Sequence, residues 1–332
     1  MKRILVATFL LTLLLAGLAV FAAVNFYSPT SKLPSRFIVS NGESASSVVN
    51  RLYSAGHIRS VLFARLYLKL SRLESSIKPG AYTLPSGNLS QTFTLLASGP
   101  QEIWVTFPEG WRREQFANRL AETLDQIDQN FSRTDFITQT ATLEGQLFPD
   151  TYLVPSNSST KQIVSQLLNN FRKKTNLSPT ASYRINMGTD EVTLTGQQVL
   201  TLASLLERET KSTTDRQIVA GIILKRLNSS WPLQIDATIQ YAQDSKSPRV
   251  LNVDYDFWSQ PIDTSFVSPF NTYLHQGLPP HPIANPGLTS INAILKPEAS
   301  PYWYYLSDDS GKIYYSATYA QHLQYVDKYL RH

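Results

Sequence analysis

The hydrophobic pattern opens with an apolar run over residues 4–24, broken only by Thr8, Thr12 and Gly17 and preceded by Lys2 and Arg3. Wound as a helix, the run is long enough to cross a hydrocarbon core of about 30 Å, and it exceeds the roughly 7–15 apolar residues of a cleaved signal peptide. It predicts a retained single-pass transmembrane helix within residues 1–24, with cleavage after Ala22 or Ala23 as the alternative because small residues stand there. Lys2 and Arg3 hold the tip on the cytoplasmic side of the cytoplasmic (inner) membrane. The rest of the chain is then expected on the periplasmic or extracytoplasmic side.

After this run the periodicity shortens. Residues 25–35, with Pro29 and Pro34 among small polar residues, predict a linker. Phe37, Ile38 and Val39 predict a strand, Asn41-Gly42 a turn, Ser44 the cap of an amphipathic helix, Ser60 the cap of a second helix over 61–73, and residues 81–84 a second strand. A short helix over 91–97 ends before Gly99. Strand, helix, helix, strand within residues 36–100 resembles the LysM-type module that binds glycan chains. Residues 101–332 predict a larger α+β domain, so the fold class is α+β, with one anchor, one small module and one larger domain. In this domain a strand over 102–107 turns at Pro108-Glu109-Gly110 into a helix over 112–124. A Pro- and aromatic-rich loop over 145–155 precedes a helix over 163–171, and Asp215 is placed to cap a helix that ends at Leu227. Residues 231–305 are dominated by Pro, Asn, Gly and aromatics, a length of loop that a compact domain keeps mainly to build a site. Strand-like segments at 303–306 and 312–315 flank Asp308-Asp309-Ser310-Gly311 as a hairpin, and a helix over 321–330 closes the chain.

One helix carries an oddly placed acid. Thr195 and Gln198 form a capping-box pair ahead of Leu202-Ala203-Ser204-Leu205-Leu206-Glu207-Arg208-Glu209-Thr210. At about 3.6 residues per turn, Glu209 falls one turn beyond Leu205 and Leu206, within the leucine stripe, while Glu207 falls toward Ala203 and Leu200. A carboxyl aimed at an apolar face is desolvated, which raises its pKa and keeps it protonated nearer to neutral pH. The competing reading of both glutamates is a pair of solvated charges at a helix end.

Composition narrows the chemistry. With 42% hydrophobic and 17% charged residues the chain can cover a core, and its length allows two or so domains. The net charge of +5 is dispersed, so no basic stripe points to nucleic acid. There is no cysteine, which excludes a disulfide framework, a thiolate metal site and a cysteine nucleophile. His57, His275, His281, His322 and His332 have no metal-ligand spacing, and phosphate-binding Gly-rich loops and a GxSxG elbow are absent, so neither metal nor cofactor is expected. What remains is carboxylates, amides and aromatics, which suit sugars: ring faces stack on Tyr and Trp, and hydroxyls bond Asn, Asp and Gln. Gln234 and Asp236 after Trp231-Pro232-Leu233, and Asn271 and Tyr273 after Ser268-Pro269-Phe270, are candidates of this kind, with turn chemistry as the alternative.

Five segments in order carry a more specific likeness: residues 143–152 (Leu-Glu-Gly-Gln-Leu-Phe-Pro-Asp-Thr-Tyr), 203–210, 233–238, 268–273, and 277–287 with its Leu-Pro-Pro and Ala-Asn-Pro-Gly. Together they closely resemble the endolytic murein transglycosylases of the MltG (YceG-like) family, over residues from about 36 to near the C-terminus. Gln146, Ile235 and His281 depart from the usual family residues. The resemblance implies a lyase that cleaves the bond between N-acetylmuramic acid (MurNAc) and N-acetylglucosamine (GlcNAc) in peptidoglycan without water, leaving a 1,6-anhydro-MurNAc end. It further implies a role beside the membrane in ending nascent strands, with peptidoglycan synthases as possible partners, and no cofactor. One residue, first acid and then base, suffices for such a reaction; Glu209 followed by the hydroxyl residue Thr210 is the candidate, and Glu207 is the runner-up, expected as an ion-pair or orienting residue. Gln234, Asp236, Asn271 and Tyr273 are candidates for holding the sugar, and Asp150 and Tyr152 for lining the cleft. Two other functions stay open: a membrane-anchored glycan-binding scaffold that does not cut, and a glycoside hydrolase using Glu209 and Asp236.

Overall fold

The computed structural model describes residues 2–30, 33–40, 42–124, 131–210, 212–245, 255–308 and 310–330. Asn41, Asp309 and His332 lie outside these described residues. The chain divides into two compact units, both of mixed helix and sheet.

The first unit starts with α1 (Lys2–Tyr27), whose Phe9–Tyr27 stretch is long and apolar enough to cross a membrane. The helix runs past Val24 into the expected linker because Asn25 Nδ2 donates to Phe21 O at 2.8 Å and Phe26 packs on Phe63. Then come β1 (Ser35–Val39), α2 (Ala45–Ser54), α3 (Val61–Ser71), β2 (Gly80–Leu84), α4 (Leu89–Ser98), β3 (Glu102–Thr106) and, after an excursion into the second unit, β4 (Thr151–Pro155). The strands form one sheet in the order β1-β2-β3-β4, with β1 antiparallel to β2 from Ser35↔Leu84 to Val39↔Gly80. Ser44 and Ser60 cap α2 and α3 as the pattern predicts, each accepting a backbone N–H three residues on. Val48, Val49, Leu52, Ala64, Leu68, Phe93 and Leu96 from the three short helices close the core. The segment 145–155, expected to be loop throughout, ends in a strand because Tyr152 and Val154 alternate inward; Pro155 is tolerated because β4 is an edge strand.

The second unit contains α5 (Arg113–Leu124), α6 (Arg133–Gln139), α7 (Thr160–Thr175), the hairpin β5 (Ser182–Asn186) and β6 (Glu191–Thr195), α8 (Gly196–Glu209), α9 (Thr213–Asn228), α10 (Asp236–Ser245), α11 (Leu288–Leu295), the hairpin β7 (Tyr304–Ser307) and β8 (Ile313–Ser316), and α12 (Tyr319–Tyr329). Helix α8 is the centre of this core. Its Val199, Leu200, Leu202, Ala203, Leu205 and Leu206 are all buried, among Val219, Ile223 and Leu224 of α9 and Ile291 and Ile294 of α11. The cap of α9 is Ser212 rather than Asp215: Ser212 Oγ accepts from Asp215 N at 3.3 Å, and the Asp215 carboxylate accepts instead from Tyr315 Oη at 2.6 Å. The hairpin β5–β6 escapes sequence reading because each strand buries one residue, Ile185 or Leu194. The long aromatic segment contains two helices, α10 and α11, between irregular stretches.

Candidate active site

Glu209 is the last residue of α8, and the two ends of that helix place it. At the start, Thr195 Oγ1 accepts from Gln198 N at 3.2 Å while Gln198 Oε1 accepts from Thr195 N at 2.8 Å, which fixes the helical phase. At the end, Leu205 and Leu206 are fully buried and turn the Glu209 carboxyl inward. The C-terminus of a helix also disfavours a negative charge. Burial is the largest influence on this carboxyl and pushes its pKa up to about 7; Asp236 pushes the same way, against the Tyr305 hydrogen bond, Arg226 and Arg208. Tyr305 Oη, from β7, donates to Glu209 Oε2 at 2.6 Å. The phenol's own pKa is driven far up by burial and by the adjacent Glu209, so it remains a donor.

A cavity of about 550 Å³ opens over Glu209. Gln234, Asp236, Tyr273, Arg226, Tyr304, Tyr319 and His322 line it. Asp236 opens α10, where a helix N-terminus favours a carboxylate. Tyr273 arrives beside it because the loop around Thr272 is bonded to the loop before α10: Gln234 N donates to Thr272 O at 3.1 Å and Ile235 N to Thr272 Oγ1 at 2.9 Å. Tyr273 Oη then donates to Asp236 Oδ1 at 2.6 Å. Gln234, between the buried Leu233 and Ile235, has φ of 55°, a left-handed conformation that costs a residue with a Cβ and is held here by its buried neighbours. Arg226 is buried and donates to Leu233 O at 2.8 Å and Trp303 O at 2.9 Å, tying α9 to the segments that lead into α10 and β7. The His322 ring stacks on Tyr304 with centroids 5.2 Å apart, and burial with Arg226 nearby lowers the imidazole pKa.

Of the residues proposed from sequence, Glu209, Gln234, Asp236 and Tyr273 therefore come together around one cavity. Glu207 does not join them. Its Oε1 accepts from Arg216 Nη2 at 2.8 Å and its Oε2 from Gly287 N at 2.9 Å, so it bolts α8 to α9 and to the start of α11. Asn271 is fully buried, with Nδ2 donating to Thr264 O and Phe266 O and Oδ1 accepting from Tyr273 N; it shapes the loop rather than facing the cavity. Asp150 accepts from Asn170 Nδ2 at 3.0 Å and pairs with Lys174, and Tyr152 is buried in β4 of the first unit. Thr210 Oγ1 accepts from Ser212 N, so it starts the turn into α9. The segment 143–152 is knotted to the segment 277–287 instead: Asn285 Oδ1 accepts from Gly145 N and Leu147 N, and Asn285 Nδ2 donates to Trp111 O and Glu144 Oε1. Burial pushes the Glu144 carboxyl well above the usual carboxylate range.

Arg226, Tyr304, Tyr305 and His322 were not singled out from sequence. Arg226 carried only a weak signal, an arginine beside Lys225 in the last turn of α9, just after Ile222, Ile223 and Leu224.

Residues 37–328 match the model of the YceG-like family. The endolytic murein transglycosylase of Bacillus subtilis (strain 168) is 31% identical over 328 residues, covering 90% of this chain and 86% of that protein. The endolytic murein transglycosylase of Streptococcus pneumoniae serotype 2 is 27% identical over 325 residues, covering 86% of this chain and 56% of the longer relative. In fold, the chain is similar to the crystal structure of a yceG-like protein from Listeria monocytogenes, with a TM-score of 0.50 at 24% identity over 89% of this chain and 99% of that one. The ordered sequence segments, the mixed α+β architecture and a match over most of the length agree: this chain belongs to the YceG-like family.

Proposed function

We propose that this chain is a lytic transglycosylase, anchored by α1 in the cytoplasmic membrane with its bulk outside, that cuts peptidoglycan strands internally between MurNAc and GlcNAc. The observation that carries the reading is Glu209, a carboxyl whose pKa is pushed up to about 7, facing a cavity rimmed by tyrosines. The curated relatives named endolytic murein transglycosylase support the same reaction class. Tyr305 holds Oε2, which leaves Oε1 to carry the exchangeable proton. The Glu209 acid gives that proton to the glycosidic oxygen as the bond from MurNAc C1 to that oxygen breaks. The MurNAc C6 hydroxyl oxygen closes on C1, and its proton returns to Glu209, so acid is regenerated and no water is consumed. Asp236, in the same cavity, supplies negative charge toward the oxocarbenium-like centre, and Gln234 and Tyr273 bind sugar hydroxyls. Tyr319, exposed at the cavity, offers a ring face for stacking. Anchoring beside the membrane would give access to strands as synthases release them.

Asp236 favours one second reading, a hydrolase in which it activates water opposite Glu209. Digestion of purified peptidoglycan separates the two by mass. Anhydro ends, one water lighter than reducing ends, support the transglycosylase; reducing ends support the hydrolase; intact glycan with the wild-type protein defeats both.

A further inference from the structure

Three leucines of α3 form an exposed row: Leu62, Leu66 and Leu70 are 74%, 44% and 72% exposed. At about 100° per residue they share one face of the helix, and what borders that face is ordered. On one edge, Phe63 and Tyr67 pack against α1, with the Phe63 ring 5.6 Å from Phe21 and 5.2 Å from Phe26, and Tyr67 6.2 Å from Phe26. On the other edge stand the exposed cations Arg65 and Lys69. Ala64 and Leu68 fill the core side. Phe21 lies inside the apolar stretch Phe9–Tyr27 and is itself 58% exposed, so the leucine row continues an apolar surface that starts on the spanning helix. Phe21 is three residues before Val24, about 4.5 Å along the helix axis, which puts its contact with α3 at the outer end of the span.

We infer that α3 lies in the outer surface of the membrane that α1 spans, with Leu62, Leu66 and Leu70 in the acyl boundary and Arg65 and Lys69 on anionic headgroups. The inference rests on the anchor reading above. Apolar side chains on one face and cations at its border are the design of helices that lie in a membrane interface, their apolar face about 5–10 Å into the headgroup and acyl boundary. A lone spanning helix leaves the domain behind it free to swivel about one point; a second line of contact fixes the tilt of the first unit on the bilayer.

The chain has no cysteine, so Leu14→Cys, Leu66→Cys and Lys161→Cys each accept one fluorophore. Each full-length variant is reconstituted in vesicles of phosphatidylcholine and phosphatidylglycerol, then exposed to nitroxide-bearing lipid and to aqueous iodide. The expected result is lipid quenching and iodide shielding at 14 and 66 and free iodide access at 161, with the shielding at 66 lost when Leu62 and Leu70 are both changed to Ser. A label at 66 as open to iodide as that at 161, with 14 still in lipid, keeps the anchor and overturns the docked helix. A label at 14 in water overturns both.

Discussion

Replacing Tyr305 with Phe removes one oxygen from the cavity and with it the 2.6 Å hydrogen bond to Glu209 Oε2. That bond stabilises the carboxylate over the acid, so its loss raises the Glu209 pKa above its value of about 7. A hydrogen bond to a charged group contributes about 1.5–3 kcal/mol, and one pKa unit corresponds to about 1.4 kcal/mol, so the rise is ~1–2 units. In the proposed reaction the protonated acid enters, so kcat/KM is expected to fall above about pH 7 in the wild type. In Tyr305→Phe that alkaline limb moves up by ~1–2 units, whatever the peak rate. Asp236→Asn acts with the opposite sign: the negative charge it removes raises the Glu209 pKa, and its loss moves the limb to lower pH. Initial rates of anhydro-muropeptide release from purified peptidoglycan between about pH 5 and 9, with folding checked by circular dichroism at each pH, measure both shifts. An unmoved limb in Tyr305→Phe, or movement of both variants in one direction, refutes control of the rate by Glu209 protonation.

Glu209→Gln is expected to lower turnover by about 10²–10⁴-fold in the same assay, and residual activity near wild type rejects Glu209 as the acid. The same variant tests stability linkage: the folded-state pKa of about 7 exceeds the ordinary 4.5, so ionisation costs stability as pH rises between them, by up to ~3 kcal/mol. Its melting temperature should therefore exceed the wild type at pH 8 but not at pH 4, and an equal difference at both pH values counts against the raised pKa. Glu207→Gln leaves the Arg216 guanidinium without its buried carboxylate and should destabilise by about 3 kcal/mol in urea denaturation; an unchanged midpoint excludes a bolting role. Asn285→Ala breaks the bonds to Gly145, Leu147, Trp111 and Glu144 and should lower the melting temperature by about 10 °C, a loss that a surface amide would not produce.

Local chemistry was legible in the sequence where one turn of chain contains both partners. The capping box at Thr195 and Gln198, the caps at Ser44 and Ser60, and the hairpin between β7 and β8 each close within a few residues. The partners of Glu209 do not. Tyr305 is 96 residues away, and nothing in its strand distinguishes it from Tyr302, Tyr304, Tyr314 or Tyr315. Asn271 misled for a physical reason. Irregular segments without ladder partners still must satisfy their backbone groups, and polar side chains within them are consumed in doing so. Asn271 spends its amide on Thr264, Phe266 and Tyr273, so the same residue type that suits a sugar hydroxyl is used to hold the loop that delivers Tyr273.

Helical phase alone put Glu209 on the leucine stripe and Glu207 off it, but it did not supply the partners that set their roles. Both leave the last turn of one helix. Their neighbours divide them. Glu207 meets the Arg216 guanidinium and the Gly287 N–H, donors that occupy both oxygens. Glu209 meets one phenol and the negative charge of Asp236, with Arg226 turned to carbonyls at Leu233 and Trp303 and Arg208 over the Trp258 ring 4.2 Å away. A carboxyl given full compensation becomes a structural bolt, whereas one given partial compensation keeps an exchangeable proton near neutral pH. Two residues of helix are enough to change the set of neighbours, because about 200° of rotation separates their side chains.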